Sequence, residues 1–444
     1  MQRLIDRGSL TGALGAYLTG VVVTSAPWLL TTAVLLGLRL FARSSGTNEF
    51  LVVEQTVTIV YALTVVLSAP MDVVLSRHAS DRLYDRRLEA IAAPLGRGLA
   101  LTVVGFAAVG SAVMTLLRVP IAFAVPGTLL TVVVGAQWLM LSVGSGLSSP
   151  SVVLGAFGLG APVTIIAALA LGRGLGLGAV GYLYGFGIGQ LCTLVLLLVG
   201  VMRVLPANSD ERERLWPAFV EYRLLAAASF AYHLSIWADK PILWLLAGWP
   251  LAALYTASAA LAWFSVIPAF AWIYVQIETV FYQRYRAFYS SLEGGGTLPL
   301  LRVRAQIVRA EALRILRGAA LVQAGVTLVA LMAGPLVLRV AGLPPAAAPM
   351  YRLALIGAAM QLGTLLTLLL LYYFDLRRNA LTVAIVLLVG EVTLTVVCWR
   401  AGLPPGLGYV IASTVSCLLG INLVRRRMRT LLLDTFQSQP FGAM

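Results

Sequence analysis

Uninterrupted apolar runs, most of them 20 to 30 residues long and separated by short clusters rich in Arg, set the pattern of the chain. A membrane-crossing helix takes about 20 apolar residues. The runs therefore place spans at 10–38, 50–76, 98–117, 120–143, 151–172, 174–202, 223–248, 250–280, 318–342, 344–374, 380–399 and 407–424. Transmembrane barrel strands of about ten residues would alternate in polarity, and these runs do not. The expected fold class is all-α: a polytopic membrane protein of about twelve transmembrane helices in two six-helix lobes. Composition agrees, since 60% of the 444 residues are hydrophobic and 11% are charged, against about 25% charged in a soluble domain. The first uncharged stretch, Leu10 to Leu38, is far longer than a signal h-region and is expected to stay as the first span.

A polar segment at mid-chain, 203–222, divides the spans evenly. The expected organisation is an N-terminal lobe over 1–202, a cytoplasmic linker over 203–222, a C-terminal lobe over 223–424 and a basic tail over 425–444. Equal halves with six spans each suit a parallel repeat. Asp72 stands five residues before Arg77, and Glu278 six before Arg284, so an acid followed by a basic Tyr-containing stretch recurs in the second span of each half. The net charge of +14 comes from 31 Arg and one Lys, Lys240, against 18 acids. In a soluble chain that excess would suggest nucleic acid, but in a membrane chain it sets orientation. With both termini on the cytoplasmic side, 24 Arg fall inside and 7 outside, which is the bias that positive-inside topology demands.

Several chemistries are excluded by what the chain lacks. The single Lys follows Asp239, so no P-loop exists. His78 and His233 are the only histidines, and Cys192, Cys398 and Cys417 lie far apart in apolar runs. No cofactor, metal or catalytic set is expected; the chain reads as a transporter or a membrane scaffold rather than an enzyme. Ionisable residues in or near the apolar layer are the site candidates, because they are costly there: Glu54, Asp72, Asp239, Lys240, Glu278 and Glu391. Asp239 and Lys240 are neighbours and point about 100° apart on a helix, so each is expected to find a different partner, by structural ion pairing or by substrate contact. Glu54, Asp72 and Glu278 either reach into headgroups or line a pathway, with Asp72 and Glu278 at the inner ends of their spans. Glu391 lies mid-span, where a buried hydrogen bond competes with an ion or substrate role. Arg82, Arg86, Arg87, Arg284 and Arg286 are the candidates for contact with a cytosolic partner, and the helix expected over 299–317 offers either a lipid-facing or a docking surface.

The stretches GAYLTGVVVTSAPW (15–28), RHASDRLY (77–84), IWADKPILW (236–244), FYQRYRAFYSSLEGGGTL (281–298), LLYYFDLRRN (370–379) and TFQSQP (435–440) keep their order over nearly the whole chain. Together they resemble the PelG family, the inner-membrane component of Pel exopolysaccharide export, itself similar to the multidrug/oligosaccharidyl-lipid/polysaccharide exporter superfamily. The resemblance implies two six-helix lobes, a substrate polymer rich in N-acetylhexosamines, a cytosolic glycosyltransferase (PelF) and the membrane proteins PelD and PelE as partners, and a location in the bacterial inner membrane. Two rival readings stay open: an ion-coupled multidrug or lipid-linked oligosaccharide exporter of the same superfamily, and a non-transporting scaffold for the glycosyltransferase.

Overall fold

A computed structural model describes residues 17, 31–35, 37–39, 50–147, 150–206 and 213–437. Among the described residues the secondary structure is helical, without strands. Ten helices are long and apolar enough to cross a membrane. Most of the first expected span, 10–38, lies outside the described residues, as do Arg3, Arg7 and residues 207–212 of the 203–222 segment. The chain forms two compact units, one of residues 25–233 and one of 1–24 with 234–444.

The first unit holds α1 (Phe50–Tyr84), α2 (Glu89–Leu116), α3 (Ile121–Leu147), α4 (Pro150–Leu169), α5 (Gly178–Met202) and the short α6 (Leu215–Glu221). Its helices approach closely where side chains are small. Gly181, Gly185 and Gly189 recur every four residues on one face of α5, and a Cβ at Gly185 would stand 2.3 Å from the Ala168 backbone of α4. This is the small-residue packing that lets helices associate without a hydrophobic driving force between them. A π-helical turn, Ala170–Gly174, ends α4, so α5 starts four residues later than the expected 174. Both α1 and α2 exceed their expected spans. Hydropathy sees only the lipid-length part of a helix, whereas α1 continues through Arg77 and Arg82 to Tyr84, and α2 starts at Glu89.

The second unit takes up the chain at Leu234, inside α7 (Arg223–Ala247), which carries the expected span 223–248 but, with Asp239 and Lys240 in it, is not among the ten helices apolar enough to cross a membrane. Then α8 (Trp249–Trp263), a 3-10 turn, α9 (Ile267–Gln276), a π-helical turn (Ile277–Phe281) and α10 (Tyr282–Glu293) form one helical run of 45 residues. The basic stretch 283–317 is therefore mostly helix. It is broken between Glu293 and Leu298, where Gly295 takes φ +68°, a left-handed turn that glycine adopts without steric cost. The next helix, α11 (Leu298–Met332), joins the expected 299–317 helix to the following span without a break. That span ends early, at Ala333, because Pro335 opens a new short helix, α12 (Gly334–Val340). The unit closes with α13 (Ala348–Tyr373), α14 (Arg377–Arg400) and α15 (Leu407–Gln437), whose last turns carry Arg425 to Arg429.

Two of the family-like stretches meet here. Phe281 packs edge-on against Tyr373 at 5.3 Å, Tyr285 against Tyr373 at 5.7 Å, and the Tyr285 hydroxyl donates to the Tyr373 carbonyl at 2.8 Å. The aromatic face of α10 is thereby consumed by packing, and Arg284 and Arg286 stand exposed on its other side. Arg304 of α11 donates to Ala287 and Ser291 of α10, and Tyr289 lies beside Arg427 and Thr435 of α15. The arginine-rich parts of α10, α11 and α15 thus converge at one end of the unit. Tyr17, in another family-like stretch, donates to the Pro268 carbonyl at 2.8 Å.

Candidate functional site

Each unit contains a polar cluster in its apolar interior. In the first, Tyr61, Thr64, Ser68 and Asp72 are spaced three to four residues apart on α1, so they share one helical face. The Tyr61 hydroxyl donates to Gln190 Oε1 of α5 at 3.3 Å, and Trp138 Nε1 of α3 donates to Thr64 Oγ1 at 3.2 Å. Gln137 Nε2 donates to the Gln190 carbonyl at 2.6 Å. Ser68 Oγ donates to Asp72 Oδ2 at 2.7 Å, and Ser142 Oγ to the Asp72 carbonyl at 3.1 Å. Asp72 Oδ1 is enclosed and has no hydrogen-bond partner among the described residues. Pro70, two residues before it, removes one N–H from the helical ladder. The cavity beside Tyr61, Gln137 and Trp138 measures ≈ 10 Å³, room for at most one water.

In the second unit, the expectation of separate partners for Asp239 and Lys240 is corrected. Lys240 Nζ returns to Asp239 Oδ1 at 2.8 Å and to the Ile236 carbonyl at 2.7 Å. The flexible four-carbon stem overcomes the 100° offset of their Cα positions. Tyr255 of α8 donates its hydroxyl to Asp239 Oδ2 at 2.5 Å, and Lys240 Nζ also stands 5.6 Å from the Trp237 ring. Asp239 is 2% exposed and Glu391 of α14 is 0% exposed. Glu391 feels Asp239 and Lys240 electrostatically and lies near Ser413 of α15, yet neither of its carboxyl oxygens closes a hydrogen bond among the described residues. A charged carboxylate there would cost several kcal/mol unless a cation or a donor reached it. Beside it, Tyr409 donates to Gln361 Oε1 at 2.6 Å.

The other expected residues fall outside these clusters. Glu54, near the start of α1, pairs with Arg39 at 3.6 Å. Glu278 is exposed in the π-helical turn, near Tyr274 and Tyr373, and Asp72 is half-buried. The two acids that match in sequence therefore sit in different surroundings. Neither ends its helix: α1 runs twelve residues past Asp72, and the run containing Glu278 continues for fifteen.

Two of the arginines expected to face a cytosolic partner are engaged within the chain. Arg82 and Arg87 pair with Glu213, just before α6, at 3.3 and 3.6 Å, and Arg97 donates to the Glu213 carbonyl at 2.6 Å. Tyr222, after α6, donates to Asp81 Oδ2 at 2.5 Å. Burial and the Asp81 carboxylate hold its phenol well above the ordinary range. These contacts seat α6 on the ends of α1 and α2. Arg86 is exposed in the intervening turn at φ +59°. No group of three or more metal-ligating side chains occurs among the described residues. Sequence reasoning did not single out Ser68 or Gln190; for Ser68, the helical spacing to Asp72 was the available signal.

The sequence model of the PelG family, described as "Putative exopolysaccharide Exporter (EPS-E)", matches residues 1–436. No curated protein matches the chain. Among solved structures, the chain is similar to a MATE transporter in complex with MaL6, at TM-score 0.69 and 14% identity over 95% of this chain and 97% of that one. It is similar to a multidrug resistance MATE family transporter of the MOP superfamily in an outward-facing conformation, at 0.66 and 14% over 95% and 96%. A MOP superfamily transporter from Pyrococcus furiosus matches at 0.66 and 13% over 95% and 96%. These likenesses establish an all-helical MATE-like membrane fold.

Proposed function

The chain belongs to the PelG family, and we propose that it carries an N-acetylhexosamine-rich exopolysaccharide across the bacterial inner membrane, supplied by a cytosolic PelF-like glycosyltransferase, with PelD and PelE as membrane partners. Family and fold indicate an exopolysaccharide transporter rather than an enzyme. The observation that carries the finer reading is the polar face of α1. Hydroxyls, amides, a carboxylate and the Tyr61 and Trp138 rings lie along one line. Sugars are recognised by such a mixture of acceptors, donors and aromatic faces, and charge-assisted bonds to a carboxylate are about twice as strong as neutral ones. Passage needs weak, repeated contacts rather than one deep site. Arg86, Arg284 and Arg286, which are exposed, are the proposed contacts with the glycosyltransferase, and the arginine-rich ends and both termini are cytoplasmic in this reading.

The test replaces Asp72 with Asn, Glu278 with Gln, and both, and measures secreted polymer per folded membrane copy. Loss of export in the Asp72 variant is expected; normal export at equal abundance in all three removes both acids from the pathway. Glu391 and its bare oxygens favour a second reading, in which a proton or sodium ion drives the cycle. Collapse of the ion gradient should then stop export in the parent, and Glu391→Gln should abolish that dependence without loss of protein.

A further inference from the structure

The helical run from α8 to α10 carries tyrosines in two different situations. Tyr285 packs on Tyr373 at 5.7 Å and donates to its carbonyl, and Tyr289 lies 4.6 Å from Tyr285, so both are engaged within the bundle. Tyr274 and Tyr282 make no ring contact and no hydrogen bond among the described residues. Between them stands Glu278, exposed, and also without an ion pair or hydrogen bond among the described residues. The three are spaced four apart, as neighbours on one helix face are. The π-helical turn Ile277–Phe281 holds Glu278. Such a turn takes more residues than an α-helical one, which brings positions four apart more nearly into line, and it recurs at functional sites. Tyr373, at the end of α13, joins the row from a second helix, within electrostatic range of Tyr274, Glu278 and Tyr282. Its ring is packed edge-on against Phe281, so what it can offer a ligand is its hydroxyl.

The ligand class follows from that chemistry. The carboxylate accepts hydrogen bonds, the phenols beside it donate, and two rings offer apolar faces. A lipid phosphate is repelled by Glu278. A lone cation is held where rings close around one point, whereas Tyr274 to Tyr282 extends over eight residues, about 12 Å at 1.5 Å per residue. An extended, neutral chain of acetamido sugars suits the row. Each acetamido group brings an N–H for the carboxylate and a C=O for a phenol, and the C–H face of each pyranose can lie on a ring. Tyr282 is 44% exposed, and Arg284 and Arg286 follow it on the same helix. The row therefore begins beside the surface proposed for the glycosyltransferase.

We propose that Tyr274, Glu278, Tyr282 and Tyr373 form a subsite for a neutral N-acetylhexosamine chain, which receives the polymer as it arrives from the cytosolic side. The inference rests on the export reading above. The full-length protein in detergent would be titrated with chitotetraose, with its fully deacetylated, cationic counterpart and with maltotetraose, and binding read by saturation-transfer NMR. Wild type should bind chitotetraose about five-fold more tightly than maltotetraose, which lacks acetamido groups. Tyr282→Ala and Glu278→Gln should each weaken chitotetraose binding roughly five-fold, and Tyr282→Phe, which keeps the ring, should weaken it less than Tyr282→Ala. Tyr184→Ala, at an exposed tyrosine of α5, should change nothing. Wild type that prefers the cationic tetramer would make the row an ammonium site. Wild type that binds none of the three would make it an aromatic belt at the headgroups. Either result overturns the proposal, as does equal affinity for maltotetraose, and none of these measurements needs a variant to fold. Unchanged affinity in both Tyr282→Ala and Glu278→Gln overturns it as well. Secretion assays on the same variants keep the two readings apart. If Tyr282→Ala and Glu278→Gln bind chitotetraose as the parent does while polymer is still secreted, the subsite falls and export stands. If the parent binds through the row but deleting the protein leaves secretion intact, export falls and the site stands.

Discussion

Asp239 is held from two sides, by a cation on its own helix and by a phenol on α8, and the two bonds differ in what their loss does. The lysine is a flexible neighbour and the hydrogen bond from Tyr255 crosses between helices. Tyr255→Phe keeps the ring and removes one hydroxyl, leaving a buried acceptor short of a donor. It should lower stability in detergent by about 1.5–3 kcal/mol, read as a drop in thermal midpoint, while α7 and α8 stay packed. No change in the midpoint would mean that water replaces the phenol. At this scale the sequence was only half legible. That Glu391 has no route to the headgroups followed from its position in a long apolar run. That Asp239 and Lys240 pair with each other did not, because a helical wheel places Cα atoms and says nothing of a four-carbon stem.

The helices were legible as apolar runs, but their ends were not. Hydropathy marks the length that lipid covers, and α1, α11 and α15 keep their backbone hydrogen bonds well past it. The glycines of α5 were readable as contact points, and the structure shows which of them bear the contact. A Cβ at Gly185 would meet Ala168 backbone at 2.3 Å, whereas one at Gly187 would meet nothing within 4 Å. Backbone cannot step aside as a side chain can. Gly185→Ala should therefore cost at least about 1–3 kcal/mol and separate α4 from α5. Gly187→Ala should be neutral or stabilising by up to about 1 kcal/mol, since Ala is the better helix former. Thermal unfolding of the two variants side by side checks this, and equal midpoints would mean that α4 and α5 slide apart at little cost.

For the molecule as a whole, the order of apolar runs and the family-like stretches carried most of the fold, because both are written locally along the chain. The packing of 281–293 against 370–375 was not legible: contacts between stretches ninety residues apart leave no periodic trace. Orientation is open to direct measurement. A cysteine placed at Arg284 should resist membrane-impermeant thiol reagents added from the periplasm, while one at Arg400, at the opposite end of α14 from Arg377, should react. Labelling at Arg284 in intact spheroplasts would invert the proposed topology.

The lengths of α1 and α11 have a mechanical consequence. Each has 35 residues, or about 52 Å at 1.5 Å per residue, against a hydrocarbon layer of about 30 Å. Roughly 20 Å of stiff rod is left over in each. On α11 that surplus is the arginine-bearing half that receives α10, so the basic surface stands on a strut rather than on a slack tether, at a fixed height and a fixed bearing. One residue added to the strut turns everything beyond it by about 100°. Whatever docks there is aimed by the register of a single helix.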